Sequence, residues 1–271
     1  FDTALTGLVV KNRRLAGAET AAGPLACRRL VLAVGHSARD TFAMLAQRGL
    51  PLSAKPFSVG FRAEHLQADI DRGLYHAAAG HPALPPGEYQ LSHHVGRRCV
   101  YTFCMCPGGQ VVAAASEEGG VLTNGMSYHA RAGKNANAAV GISVDGADFG
   151  GDPMKAVAFQ RQLEQAAFKA GGGDYTAPAE NLQSFLKGEG RLVPGPVVPT
   201  YDRGVRPFDL GSLLPAELAE GLRQGLAAFD RKLPGYAGPS AVLTGLETRT
   251  SSPIRLERGA DLQCLSLPGL Y

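Results

Sequence analysis

The segment from Leu30 to Gly49 constrains the fold more than any other stretch of the chain. Leu30-Val31-Leu32-Ala33-Val34 is an unbroken apolar run, the pattern of a strand buried on both faces. Gly35 follows, where the chain can turn tightly or let another group approach the backbone. Ser37 stands where it can cap a helix, and Asp40 occupies the place of its capping-box partner. Phe42, Leu45 and Ala46 supply the apolar stripe of that helix, and Gly49 its end. Strand, glycine and helix N-terminus in succession are the parts of any α/β crossover, and also of an anion or cofactor site. Upstream, a strand over 1–10, a turn at Asn12-Arg13-Arg14, a returning strand over 15–20 and a turn at Gly23-Pro24 read as an antiparallel meander that feeds the buried strand.

The chain then changes character once. Strands dominate from Lys55 to Ser127. Phe57, Val59 and Phe61 alternate with other residues, and strand-like stretches follow at 88–95, 99–106 and 110–116, which predicts an antiparallel sheet. Pro107-Gly108-Gly109 reads as a connection, and Asn124-Gly125 carries the strongest hairpin signal. Beyond Ser143 helices enter. Asp152-Pro153 predicts an N-cap and first helical residue, with Phe159, Leu163, Ala166 and Ala170 as the stripe. Residues 188–211 hold Pro194, Pro196, Pro199 and Pro207 and read as an irregular connection. Pro215 opens a helix striped by Leu218, Leu222, Leu226 and Phe229, and 241–246 is again strand-like. These elements read as an α/β chain with a β-rich middle.

Composition excludes several classes. A chain of 271 residues has room for about two domains and a sizeable core. Apolar residues at 45% and charged residues at 19% exclude intrinsic disorder. A net charge of +3 is too mild to point to nucleic acid. The aliphatic runs are too short for a membrane-spanning helix. No basic-then-apolar leader is visible, and five cysteines at irregular spacing fit reduced thiols, so a cytoplasmic location is expected. The abrupt start, and the turn signal Pro268-Gly269-Leu270-Tyr271 at the finish, read as the ends of a piece of a longer protein.

Four groups of residues could carry chemistry. Cys104 and Cys106, near Cys99 and His93-His94, lack a second cysteine pair at zinc spacing, so no metal site is expected. They read either as buried small hydrophobes or as a redox-active pair. His36 is a candidate acid or base at the strand-to-helix turn, or a solvent-facing turn residue. Residues 124–137, with Arg131, concentrate amide and cationic donors that suit a carboxylate or phosphate, or form a polar surface loop. Thr244 to Pro253 is dense in hydroxyls and includes Glu247 and Arg249. It reads as a ligand-facing edge or a solvated strand. No complete G-x-G-x-x-G, P-loop, G-x-S-x-G or H-E-x-x-H motif is present.

Several strings together resemble one family. They are the segment 32–42, Lys55-Pro56-Phe57-Ser58-Val59-Gly60-Phe61-Arg62, Phe103-Cys104-Met105-Cys106-Pro107-Gly108-Gly109, Thr123-Asn124-Gly125-Met126-Ser127, Glu247-Thr248-Arg249-Thr250-Ser251-Ser252-Pro253 and Gly269-Leu270-Tyr271. In this order they resemble a bacterial family of uncharacterised FAD-dependent, NAD(FAD)-utilising dehydrogenases, which are two-dinucleotide-fold flavoproteins. The resemblance implies an α/β fold with an α+β insertion: part of a glutathione-reductase-like FAD-binding domain over 1–52, a β-rich inserted substrate domain with flanking helices over 53–239, and a return strand to the FAD-binding domain over 240–271. It implies that the first Rossmann glycine motif and a closing FAD segment lie outside the chain, so the chain alone is expected to bind FAD weakly or not at all.

For the parent protein the resemblance implies flavin-dependent redox chemistry on a small-molecule substrate, with NAD(P)H as a further candidate cofactor. Gly35, His36 and Ser37 would approach the adenine-diphosphate side of FAD, and Glu247, Arg249, Thr250, Ser251 and Ser252 its ring system. Arg62, Asn124, Arg131 and Asn137 would reach the substrate. Two alternatives stand beside this: a non-catalytic module that binds a small anion or a partner protein, and a thiol redox protein using Cys104 and Cys106.

Overall fold

Asn12 and Arg13, at φ 51° and 61°, reverse the chain between strand β1 (Leu5–Lys11) and strand β2 (Arg14–Thr20). A two-residue turn with both φ values positive matches the natural twist of a hairpin. Strand β3 (Gly23–Ala26) pairs with β2 and completes the expected antiparallel meander, with Gly23-Pro24 opening the strand rather than turning. The computed structural model describes residues 2–271, so Phe1, included in the first expected strand, lies outside it.

The chain packs as two compact units. One comprises the residues through 57 with 145–159 and 251–271, and the other comprises 58–144 with 160–250. In the first unit, Leu8 and Leu15 of the meander share a buried cluster with Leu45, Cys264, Leu267 and Leu270. The run Leu30–Val34 is not the doubly buried strand its composition suggests. Its pairing is a short parallel bridge: Leu30 N donates to Gly269 O, Tyr271 N to Leu30 O and Leu32 N to Tyr271 O, each at 2.8 Å. Leu30 and Leu32 pack on the cluster, whereas Val31 and Val34 are 70% and 40% exposed.

Helix α1 (Arg39–Gln47) begins at Ala38 without a side-chain cap. Ser37 therefore does not act as the expected N-cap: its carbonyl accepts from Arg39 N, and its hydroxyl faces His36 Nδ1 at 2.8 Å. Phe42 and Leu45 are buried as expected, and Gly49 (φ 67°) closes the helix onto Ala46 O. Strand β4 (Leu52–Ala54) pairs with the strand Ile254–Leu256 of the same unit. Asp152 Oδ1 accepts from Met154 N at 2.8 Å and caps helix α3 (Pro153–Gly171) at its proline, as the sequence predicts.

The second unit centres on a seven-stranded mixed sheet. Its strands in chain order are β5 (Phe57–Leu66), β6 (Ser92–Val95), β7 (Arg98–Cys106), β10 (Asn135–Val144), β11 (Ala177–Asn181), β12 (Val205–Pro207) and β13 (Val242–Glu247), arranged β12-β11-β13-β5-β10-β7-β6. β11 and β12 run parallel, and the pairs β11–β13, β13–β5, β10–β7 and β6–β7 run antiparallel. Pro207 sits on edge strand β12, where a missing N–H is tolerated. Strands β8 (Gly109–Ala113) and β9 (Thr123–Ser127) form a separate ribbon rather than joining the larger sheet. Helices α2 (Gln67–Tyr75), α4 (Leu182–Lys187) and α5 (Ala216–Lys232) complete the unit. The protein is thus a mixed α/β chain. The segment 241–250, grouped by sequence with the return strand, belongs to this second unit.

Helix α5 carries the expected stripe of Leu218, Leu222, Leu226 and Phe229, all buried. Gly221 and Gly225 share that face. A Cβ at Gly225 would lie 2.4 Å from Val100 Cγ1, and one at Gly221 2.4 Å from Ile142 Cδ1, so the helix backbone rests directly on β7 and β10. In α3 the buried face of the second unit's portion is Gln160, Leu163, Glu164 and Ala167, offset from the expected stripe because two polar side chains occupy it. Asn124-Gly125 is not a turn but the interior of β9. Strand β5 is buried along both faces, so its polar set, Ser58, Arg62 and Glu64, is as enclosed as its apolar set.

Candidate functional site

Burying Arg62 at 0% exposure requires an acceptor for every N–H, and the structure supplies them. Nε donates to Glu247 Oε2 at 2.8 Å and Nη2 to Glu247 Oε1 at 2.9 Å, a bidentate pair. Nη2 also donates to Asn124 Oδ1 at 2.9 Å, and Nη1 to Cys104 O at 2.9 Å and Asn137 Oδ1 at 3.3 Å. A guanidinium has five N–H bonds, and these contacts use all of them. Four strands and the β9 ribbon meet on this one side chain: β5 gives Arg62, β13 Glu247, β10 Asn137, β7 the Cys104 carbonyl and β9 Asn124. Gly125 makes room for it, since a Cβ there would lie 2.2 Å from Asn137 Oδ1 and 2.6 Å from Arg62 Nη1. The glycine read as a turn former is needed for close approach instead.

Burial pushes the Glu247 carboxyl above its ordinary range, and the Arg62 guanidinium pulls it back only in part. Accepting two guanidinium N–H bonds is the geometry of the ionised form. Beside the pair, Cys104 is exposed at φ 46°, and Cys106 is half-buried with its Sγ donating to Cys104 O at 3.3 Å. The register between β10 and β7 slips here, from Asn137 opposite Cys106 to Ala139 opposite Phe103. One extra residue on β7 makes a bulge, which interrupts the period-2 alternation of side chains along the strand between Thr102 and Cys106. Burial raises the Cys106 thiol, with Arg62 acting in the opposite direction.

Of the proposed substrate contacts, Asn124 and Asn137 join Arg62, whereas Arg131 is paired with Glu88 on the surface. In the first unit a cavity of about 250 Å³ is lined by Leu32 to Gly35, Phe42, Ser252, Ile254, Arg255, Arg258 and Tyr271. A Cβ at Gly35 (φ 72°) would meet nothing within 4 Å, so the backbone there faces open space. Of the FAD-side candidates in this unit, Gly35 and Ser252 line the cavity. Ser251 Oγ donates to Pro56 O at 3.3 Å.

Residues 56–250 match the family model described as FAD-dependent protein, C-terminal domain-like. The chain belongs to this family. It is also 43% identical over 274 aligned residues to an uncharacterized protein of Clostridium beijerinckii, an alignment that takes in the whole chain and 51% of that relative. The chain thus spans about half the length of the curated relative it matches. The FAD-dependent C-terminal-like region contains Arg62, Asn124, Asn137, Cys104, Cys106, Glu247, Arg249 and Thr250. Gly35, His36, Ser37, Ser251 and Ser252 fall outside the matched residues.

Within the FAD-dependent C-terminal-like region, Arg249 is not on a solvated edge. It is 8% exposed and forms a second bidentate pair, Nε to Glu164 Oε1 at 3.0 Å and Nη2 to Glu164 Oε2 at 2.8 Å. Thr248 Oγ1 donates to the same carboxylate at 2.7 Å, Gln160 Nε2 donates to Thr248 O at 2.8 Å, and Thr250 Oγ1 accepts from Ser58 N at 3.0 Å. The part of the hydroxyl-rich stretch from Thr244 to Arg249 is therefore interior, whereas Thr250, Ser251 and Ser252 are half-buried. Sequence reading missed three of the family region's buried carboxylates, Glu64, Glu164 and Glu180. The available signal was spacing: Gln160 and Glu164 are one helical turn apart, and Glu64 follows Arg62 on the same strand face. Glu64 Oε1 accepts from Thr200 Oγ1 at 2.6 Å and from Asn135 Nδ2 at 3.2 Å, while burial lifts its carboxyl above the ordinary range. No helix among the described residues is long and apolar enough to cross a membrane.

Proposed function

We propose that this chain is part of an FAD-dependent oxidoreductase acting on a small-molecule substrate, and that the cavity of the first unit receives the adenosine-diphosphate part of FAD. The observation that carries this reading is the cavity itself. The backbone of Leu32–Gly35 runs along it just ahead of α1, open space faces Gly35, and the exposed Arg255 and Arg258 stand on its wall. Apolar Phe42 and Ile254 suit a planar base, and two guanidinium groups suit a diphosphate. Bound flavin would supply hydride chemistry, and the chain would supply position and charge. Nothing among the described residues carries the nicotinamide expectation.

In the second unit, Arg62 acts as a positioning residue in this proposal, because its donors are already committed. Asn124, exposed on β9 and fixed through its Oδ1, takes the substrate-contact role with its amide group. The test is FAD affinity in a polypeptide of the relative's length. Arg255→Ala with Arg258→Ala should weaken FAD binding about ten- to a hundred-fold, measured by flavin fluorescence quenching. Unchanged affinity would remove the cavity from the flavin site.

A further inference from the structure

Two thiols separated by one residue are placed very differently here. Cys104 is exposed on a bulge, and Cys106 is half-buried behind it with its sulfur against the Cys104 carbonyl at 3.3 Å. That carbonyl also accepts from Arg62 Nη1 at 2.9 Å, so the buried hub fixes the backbone that joins the two sulfurs. Of the remaining cysteines, Cys99 lies at the opposite end of β7 and Cys27 and Cys264 lie on other segments, and all three are half-buried or buried.

We propose that Cys104 and Cys106 form a reversible dithiol–disulfide site that exchanges with low-molecular-weight disulfides of the glutathione disulfide class. Exposure sets the order of events. The Cys104 thiolate attacks the small disulfide R–S–S–R, an S–S bond forms to Cys104, and R–S⁻ leaves and takes up a proton. The Cys106 thiolate then attacks the Cys104 sulfur, the Cys104–Cys106 bond forms, and the second R–S⁻ leaves. Two protein thiols are oxidised and one small disulfide is reduced to two thiols. Arg62 contributes through its positive charge near Cys106, which opposes the effect of burial on that thiol. The site stands on this geometry alone and does not depend on flavin binding.

The test uses the purified 271-residue chain, reduced and then equilibrated in glutathione buffers of increasing oxidised fraction, alkylated and digested. The peptide carrying Cys104 and Cys106 should lose both alkylation sites together and regain them with reductant, while Cys27, Cys99 and Cys264 stay alkylated. With Cys106→Ser, a glutathione adduct on Cys104 should persist about ten-fold longer than in the parent chain. Cys104→Ser, at an exposed position, should abolish adduct formation on this peptide while leaving the far-ultraviolet circular dichroism spectrum unchanged. Full alkylation of both thiols in every buffer would overturn the proposal, as would covalent dimers in place of the internal bond.

Discussion

Replacing Arg62 by methionine is expected to lower the unfolding free energy by about 3–5 kcal/mol. The loss comes from what is left behind. Glu247 would be buried without a counter-charge, and Asn124, Asn137 and the Cys104 carbonyl would lose their shared donor. Removing the stranded charge as well, in Arg62→Met with Glu247→Gln, should recover much of that loss. The chain has no tryptophan, so urea unfolding followed by far-ultraviolet circular dichroism is the suitable measurement. A single variant within about 1 kcal/mol of the parent, or a double variant as unstable as the sum of both singles, would contradict the picture of one coupled ionic hub.

Stability should also fall as pH rises from about 4.5 to about 7, through Glu180. This residue of β11 is fully buried, and its Oε1 accepts from Leu210 N at 2.8 Å. Burial pushes its carboxyl up to about 7 from an ordinary 4.5, with the Leu210 amide opposing the shift. In that window the unfolded chain releases the proton and the folded chain keeps it. The folded state binds more protons, so its stability is full below the unfolded value and is lost as pH climbs through the folded one. The effect is at most about 3 kcal/mol. Glu180→Gln, which keeps a neutral side chain of the same shape, should flatten that part of the pH profile. Equal slopes in parent and variant, from urea titrations at several pH values, would show that Glu180 is ionised in the folded chain.

Features set by neighbouring residues were legible in the sequence. Asp152-Pro153 starts α3 and the Leu218–Phe229 stripe faces inward because capping and helical periodicity are local. Features set by distant partners were not. Leu30–Val34 has the composition of a core strand, but its burial depends on what pairs with it, and the pairing found is one short bridge to the residues 269–271. Asn124-Gly125 has hairpin chemistry, yet the missing side chain of Gly125 serves Arg62 and Asn137 from other strands. The same limit applies to the site. Arg62, Asn124, Asn137 and Glu247 were each visible as candidates. That they close on one another, with every guanidinium N–H consumed, follows only from the sheet order. Glu164 was missed because a charged residue in a helix reads as solvated until its partner Arg249 is seen beside it.

The cavity lined by Leu32–Gly35 is proposed to receive the adenosine end of FAD. Photolabelling with an azido-adenine FAD analogue, in a polypeptide of the relative's length, checks this. The label should fall on peptides spanning 32–45 or 252–258 and disappear when excess FAD competes. Competable labelling confined to peptides of the second unit would contradict the claim.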